Sequence, residues 1–241
     1  EIGLKEKLGK FAKVLAIIFA AATVICSLGT GNMAQSNSIS DALFTNYSIP
    51  GWITGLILTV LVLLVIIGGI KRIASVTAKL VPFMAVVYIL ATITVIAFNY
   101  EDVPQAFYLI FHDAFTGTAA TGGFIGSAFI MTLIWGVRRG LFSNEAGQGS
   151  AAIAHAAAKT KYPAREGLVA SVGPLVDTLI ICTLTALLIV VTGVWDSGEK
   201  GVGMTIMGLS KGLTKLGIEH TGRHIVGVGL LLFAFSTMIS W

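Results

Sequence analysis

The residues of this chain that could do chemistry are polar groups set inside long apolar runs. Asn32 and Gln35 lie three apart in the run Gly29 to Ser38, so on a helix they share one face. Thr116 to Gly126 carries Thr121, the pair Gly122 and Gly123, and Phe124. A glycine inside a helix costs about 1 kcal/mol relative to alanine, so the pair invites an interruption. Irregular backbone at membrane depth is tolerated where it lines a cavity or is buried in protein. Broken helices of this kind build substrate and ion sites in transporters. Close helix packing through small residues, Gly122 with Gly126, is the competing reading. Ser236, Thr237 and Ser240 cluster near the end of the chain. Hydroxyl and carbonyl oxygens suit a hard cation such as sodium. The alternative is that these hydroxyls bond back to their own helix.

Asp177 is the only acid well inside an apolar run. An intramembrane acid is by default a functional candidate. Coupling-ion chemistry and a local pairing at a Pro174 kink both fit it. Between two apolar runs lies a loop with Arg138, Arg139, Asn144 and Glu145, then Gly147 and Gly149. The arginines and Glu145 can pair, and the glycines permit tight turns. An alanine-rich stretch after them reads as a short surface helix. Gly29-x-Gly31-x-x-Ala34 matches a dinucleotide fingerprint, but no strand–helix–strand unit surrounds it. No nucleophile elbow or phosphate loop is present. His112, His155, His220 and His224 lack metal-ligand spacing. Cys26 and Cys182 both fall in apolar runs, so neither a disulfide framework nor a zinc site is expected.

These polar groups must be positioned by membrane helices. The 241 residues are 55% hydrophobic and only 12% charged, against about 25% charged in a soluble domain. A disordered tail, a nucleic-acid module and a secreted disulfide scaffold are excluded by that composition. Helices need roughly 20 apolar residues to cross a bilayer. Spans are expected at about 11–36, 50–70, 73–99, 114–137, 166–195 and 224–241, in a single all-α transmembrane domain. Lysines before the first run resemble a signal peptide, but no cleavage region follows. The chain starts at Glu1 and stops inside an apolar run at Trp241, so it reads as a fragment of a longer protein.

Alternating loops separate the charges. Lys5, Lys7, Lys10, Lys13, Lys71, Arg72, Lys79, Arg138, Arg139, Lys159, Lys161 and Arg165 fall on one side. Asp41, Glu101, Asp102, Asp113, Asp196, Glu199 and Glu219 fall on the other, with only Lys200, Lys211, Lys215 and Arg223 as basic residues there, four against twelve. The positive-inside rule puts the residue 1 end in the cytoplasm. That bias accounts for the net charge of +4 without a nucleic-acid partner. Trp52, Tyr100 and Trp195 would sit at the outer interface and Trp135 at the inner one.

Gly140 to Ser150, continued by Ala154 to Ala158, resembles the signature of the alanine or glycine:cation symporter family, in the amino acid-polyamine-cation superfamily. Gly31 to Ser38 and Phe235 to Trp241 are similar to two further family stretches. The resemblance implies a leucine-transporter-like fold of two inverted five-helix repeats. This chain would supply roughly the third to eighth helices. It implies sodium- or proton-coupled uptake of alanine or glycine by alternating access, at the plasma (inner) membrane, with sodium as coupling ion and no other cofactor. Gln35 would face the substrate from the third helix. Thr121, Gly122, Gly123 and Phe124 would form the break in the sixth. Ser236 and Thr237 would hold sodium, with Thr237 and Trp241 beside the substrate. Apart from the resemblance, Arg139 and Glu145 are expected to help close an inner gate through a charge-assisted pair, in a cytoplasmic loop with Arg138 and Asn144. The family's first helix, with its acid for the substrate amine, has no counterpart here. A channel would need a continuous polar stripe, and a membrane enzyme convergent acids or histidines.

The glycine pair yields a direct test. Gly123→Leu in the full-length protein is expected to abolish uptake and leave membrane insertion intact. Normal uptake with leucine at 123 would mean that transport needs no break at the glycine pair.

Overall fold

The computed structural model describes residues 9–116, 125–145, 149–156, 158–214, 217 and 219–240. All regular elements among them are helical, as expected where each backbone N–H and C=O must find a partner within its own segment. In chain order these are α1 (Lys10–Ser27), α2 (Ala34–Tyr47), α3 (Gly51–Ile66), α4 (Gly69–Phe98), α5 (Val103–Thr116), α6 (Ile125–Ser143), α7 (Ser150–His155), α8 (Pro163–Pro174), α9 (Thr183–Val191), α10 (Val202–Gly212) and α11 (Glu219–Ser240). Two π-helical segments interrupt the series. Leu28–Met33 joins α1 to α2, and Leu175–Cys182 joins α8 to α9.

Three of these helical runs are long and apolar enough to cross a membrane: Lys10–Ser27, Gly69–Phe98 and Pro163–Val191. Gly51–Ile66 and Gly227–Ile239 are apolar but shorter. Large apolar side chains cover their outer faces. Ile25 is 71% exposed, Trp52 73% and Ile67 78%. Apolar surface on this scale needs a lipid or protein partner. Residues 103–113, between two of the expected spans, are helical within α5. The proposed break, Thr121, Gly122, Gly123 and Phe124, lies outside the described residues, as does Trp241.

The chain divides into two compact units, one of residues 1–86 with 227–241 and the other of residues 87–226. In the first, Ile39 of α2, Leu58 of α3, and Ala234 and Met238 of α11 form the buried cluster. Leu43, Val62, Leu231 and Phe235 pack against it. The spacings 39/43, 58/62 and 231/234/235/238 are those of one face on each helix. A left-handed Ser48 (φ 55°) ends α2, and Pro50 caps α3. Gly51 then approaches α2 so closely that a Cβ would stand 2.9 Å from Ser40 Oγ.

In the second unit the closest packing is around α10. Val95, Leu188, Val194 and Leu209 are almost fully buried. Asn99 Nδ2 ends α4 by donating to Val95 O at 2.8 Å and to Gly212 O at 3.1 Å. Gly208 faces Thr192 Oγ1, and a Cβ on Gly212 would lie 2.1 Å from Val95 Cγ1. Tyr88 and Thr185 share a hydrogen bond of 2.5 Å between α4 and α9.

Overpacking such a contact costs about 1–3 kcal/mol. Gly212→Val should therefore lower the melting temperature of the purified full-length protein by several degrees. Gly136→Ala, where no atom lies within 4 Å, should shift it little. Equal melting behaviour of the two variants would contradict the close approach of α10 to α4.

Candidate functional site

Serine and threonine in apolar helices usually satisfy their hydroxyls on the carbonyl one turn back. Most here do so. Thr23 donates to Phe19 O at 2.9 Å, Ser38 to Ala34 O at 2.9 Å, Thr59 to Gly55 O at 2.7 Å and Thr94 to Leu90 O at 2.7 Å. In the π-helical stretches the reach lengthens by one residue. Asn32 Nδ2 donates to Ser27 O at 3.3 Å, and Thr183 to Thr178 O at 3.2 Å. A π-turn is wider by one residue, so the nearest carbonyl is five back.

Thr54, Thr92 and Ser236 depart from this rule. Each is buried, and each hydroxyl lacks a hydrogen-bond partner among the described residues. A buried polar group left unmade costs about 1–3 kcal/mol, so it calls for an explanation. Ser236 lies on α11 between the core residues Ala234 and Met238. Thr54 lies on α3 one turn before Leu58, on the same face. Both belong to the first unit. For Ser236, then, the described structure shows none of the self-bonding that the sequence left open. Thr237 beside it is half-buried.

Gln35 is half-buried in the first turn of α2, just after the π-helical Leu28–Met33. A cleft of about 540 Å³ opens beside it, lined by Met33, Ala34, Ser36, Asn37, Ser40, Gly51 and Gly55. Gln35 is not among those lining residues. Asn37 at the cleft donates to Asp41 Oδ2 at 2.9 Å.

The remaining sequence candidates lie in the second unit. Arg138 and Arg139 are exposed near the end of α6. The Arg138 guanidinium stands 5.8 Å from the Trp135 ring, a cation–π distance. Asn144 and Glu145 follow the helix, and Glu145 is left-handed at φ 51°. Asn144 Nδ2 donates to Gly140 O at 3.1 Å. Asp177 is half-buried in the second π-helical segment, three residues after Pro174.

That segment receives two consecutive contacts from the end of α6. Ser143 Oγ donates to Asp177 Oδ2, and Thr178 Oγ1 donates to Asn144 Oδ1 at 2.9 Å. Cys182 Sγ is 3.9 Å from the same carboxylate oxygen and 3.8 Å from Ser143 Oγ. Local pairing near Pro174 is thus observed for Asp177. Ser143, Thr178 and Thr54 were not singled out from the sequence. Thr178 carried a faint signal as the polar neighbour of Asp177 in an apolar run, while Ser143, within a polar loop, and Thr54 carried none. A further pair, His155 Nδ1 to Glu166 Oε1 at 2.6 Å, ties the short α7 to α8.

Comparison with known proteins gives these groups their setting. A family model described as the sodium:alanine symporter family matches residues 2–241. The chain is 42% identical over 233 residues to the sodium/alanine symporter AgcS of Methanococcus maripaludis, covering 95% of this chain and 49% of that protein. It is 38% identical over 217 residues to the sodium/proton-dependent alanine carrier protein of Bacillus sp. (strain PS3), covering 86% and 48%. It is also 38% identical over 212 residues to the probable sodium/glutamine symporter GlnT of Bacillus subtilis, covering 86% and 42%. The chain spans about half the length of the curated relatives it matches. With a matching model along nearly its whole length and helices apolar enough for a bilayer, the chain belongs to the sodium:alanine symporter family.

Proposed function

We propose that this chain is part of a secondary carrier that moves a small neutral amino acid, alanine or glycine, across the plasma (inner) membrane together with sodium. The single observation that carries the reading is the Ser236 hydroxyl, buried and without a partner among the described residues, in a protein of a sodium symporter family. A bound sodium ion would use that oxygen and offset its lost hydration. Thr237, on the next residue, would contribute from about 100° around the helix. Gln35, Thr121, Gly122, Gly123, Phe124 and Trp241 would surround the amino acid. Freed backbone amides at the glycine pair would face its carboxylate, as at other discontinuous helices.

In this reading the fold is the leucine-transporter-like inverted repeat, with the residue 1 end in the cytoplasm. The first π-helical segment sits directly before Gln35, and π-turns are frequent at functional sites. Arg138, Arg139, Asn144 and Glu145 would take part in closing the inner side. Exposed charge pairs contribute only up to about 1 kcal/mol, which is still useful when two access states differ by a few kcal/mol. A second reading, proton coupling, is favoured by the name of the Bacillus sp. carrier, which is described as sodium/proton-dependent. Glutamine joins the candidate substrates through the name of GlnT.

Uptake by the full-length protein in proteoliposomes separates these readings. Labelled alanine, glycine and glutamine are each offered under an imposed sodium gradient or an imposed pH gradient. Accumulation of alanine or glycine under the sodium gradient is expected. Accumulation under the pH gradient alone, without sodium, would replace sodium by the proton. Ser236→Ala should raise the sodium concentration for half-maximal uptake about tenfold, equivalent to about 1.4 kcal/mol. Thr237→Val should act in the same direction. Trp241→Ala should instead change which amino acids compete. Unchanged sodium dependence in both hydroxyl variants would take the ion away from this helix.

A further inference from the structure

We propose that Asp177, Ser143, Asn144 and Thr178 form a monovalent-cation site where the end of α6 meets the π-helical segment before α9. Its residues are other than those assigned to sodium at Ser236. The inference rests on the carrier reading only for its physiological role.

Four oxygen-bearing side chains from two elements meet here through two consecutive contacts, Ser143 with Asp177 and Asn144 with Thr178. They comprise one carboxylate, two hydroxyls and one amide carbonyl. Oxygen donors of this kind suit hard cations. Asp177 lies within a run long and apolar enough to cross a membrane, Pro163–Val191. A carboxylate in such a run is costly unless its charge is balanced. Among the described residues no basic side chain forms an ion pair with it, which leaves its charge open to a bound cation. Arg139 shares the helix face of Ser143, four residues earlier, yet it is exposed and makes no ion pair with Asp177.

Charge arithmetic selects the valence. One carboxylate with three neutral oxygens is neutralised by a single positive charge. A divalent ion would leave a net positive charge in an apolar segment. The hydroxyl that reaches Asp177 uses its proton on the carboxylate and keeps its lone pairs for an ion. Thr178 likewise donates its proton to Asn144 and keeps its own lone pairs. The π-turn matters too, because Thr183 donates five residues back to Thr178 O rather than four. Ser143 and Thr178 are exposed while Asn144 and Asp177 are half-buried. Cys182 Sγ at 3.9 Å from the carboxylate is a soft atom and a poor ligand for sodium, so it borders the site rather than completing it.

The test is equilibrium binding of radioactive sodium to the purified full-length protein, without amino acid. Asp177→Asn should bind one sodium fewer per protein than wild type. Ser236→Ala should affect a different equivalent, and the double variant both. Ser143→Ala and Thr178→Val should each raise the half-saturating sodium concentration several-fold, and they carry the test if Asp177→Asn does not fold. Wild-type stoichiometry and half-saturation in Asp177→Asn, or unchanged half-saturation in both hydroxyl variants, would overturn the site. Magnesium displacing this sodium at equal concentration would overturn its monovalent character. If wild type binds sodium that only Ser236→Ala removes, the carrier reading stands and this site falls. If wild type binds no sodium, both fall.

Discussion

In a chain this apolar, the controlling constraint is that each polar group must find its partner inside the protein. Water is scarce in the hydrocarbon layer, and an unsatisfied backbone group there costs several kcal/mol. Helices answer this for the backbone. Back-bonding to the preceding turn answers it for most hydroxyls, as at Thr59 and Thr94. Once those ordinary solutions are accounted for, few groups remain. Among the described residues Ser236 and Thr54 stay buried without partners in the first unit, and Thr92 in the second. Asp177 has a hydroxyl but no countercharge among the described residues. Functional readings are worth placing on these exceptions, because the bland solution is visible elsewhere in the same helices and is not used there.

The two π-helical segments occur where the sequence makes a regular helix awkward. Leu28–Met33 contains Gly29 and Gly31, and Leu175–Cys182 follows Pro174. Proline lacks an N–H and crowds the carbonyl four residues back, and a wider turn accommodates both. Pro82 shows that proline alone does not dictate this outcome, since it lies within the α-helix Gly69–Phe98. The difference near Pro174 is that polar partners wait at the end of α6. Ser143 and Asn144 meet Asp177 and Thr178 there. Local backbone strain and inter-element hydrogen bonding act on the same few residues.

Small residues do a different task in the second unit. Gly208 and Gly212 let α10 approach Thr192 and Val95 closely. Asn99 then satisfies a carbonyl on each side of the contact, at Val95 and at Gly212. Close approach and polar satisfaction reinforce each other, since the amide reaches Gly212 O only because no side chain intervenes.

The sequence by itself determined the helical class, the membrane character and the family. Apolar runs near bilayer length exclude other spanning structures, and local motifs around Gly140 to Ser150 carried the family. Ser236, Gln35 and Asp177 were legible because a polar residue stands out against an apolar run. Partnership was not legible. Which hydroxyl is satisfied depends on what lies across from it, so Ser236 and its neighbour Thr237 look alike in sequence but differ in burial. The pairing of Ser143 with Asp177 spans 34 positions, and no local pattern encodes that distance. Thr54 resembles any threonine of an apolar helix until the packing of α2, α3 and α11 encloses the core around Leu58. The tertiary structure decided these cases because hydrogen bonding and desolvation act between elements, whereas propensity and periodicity act along one.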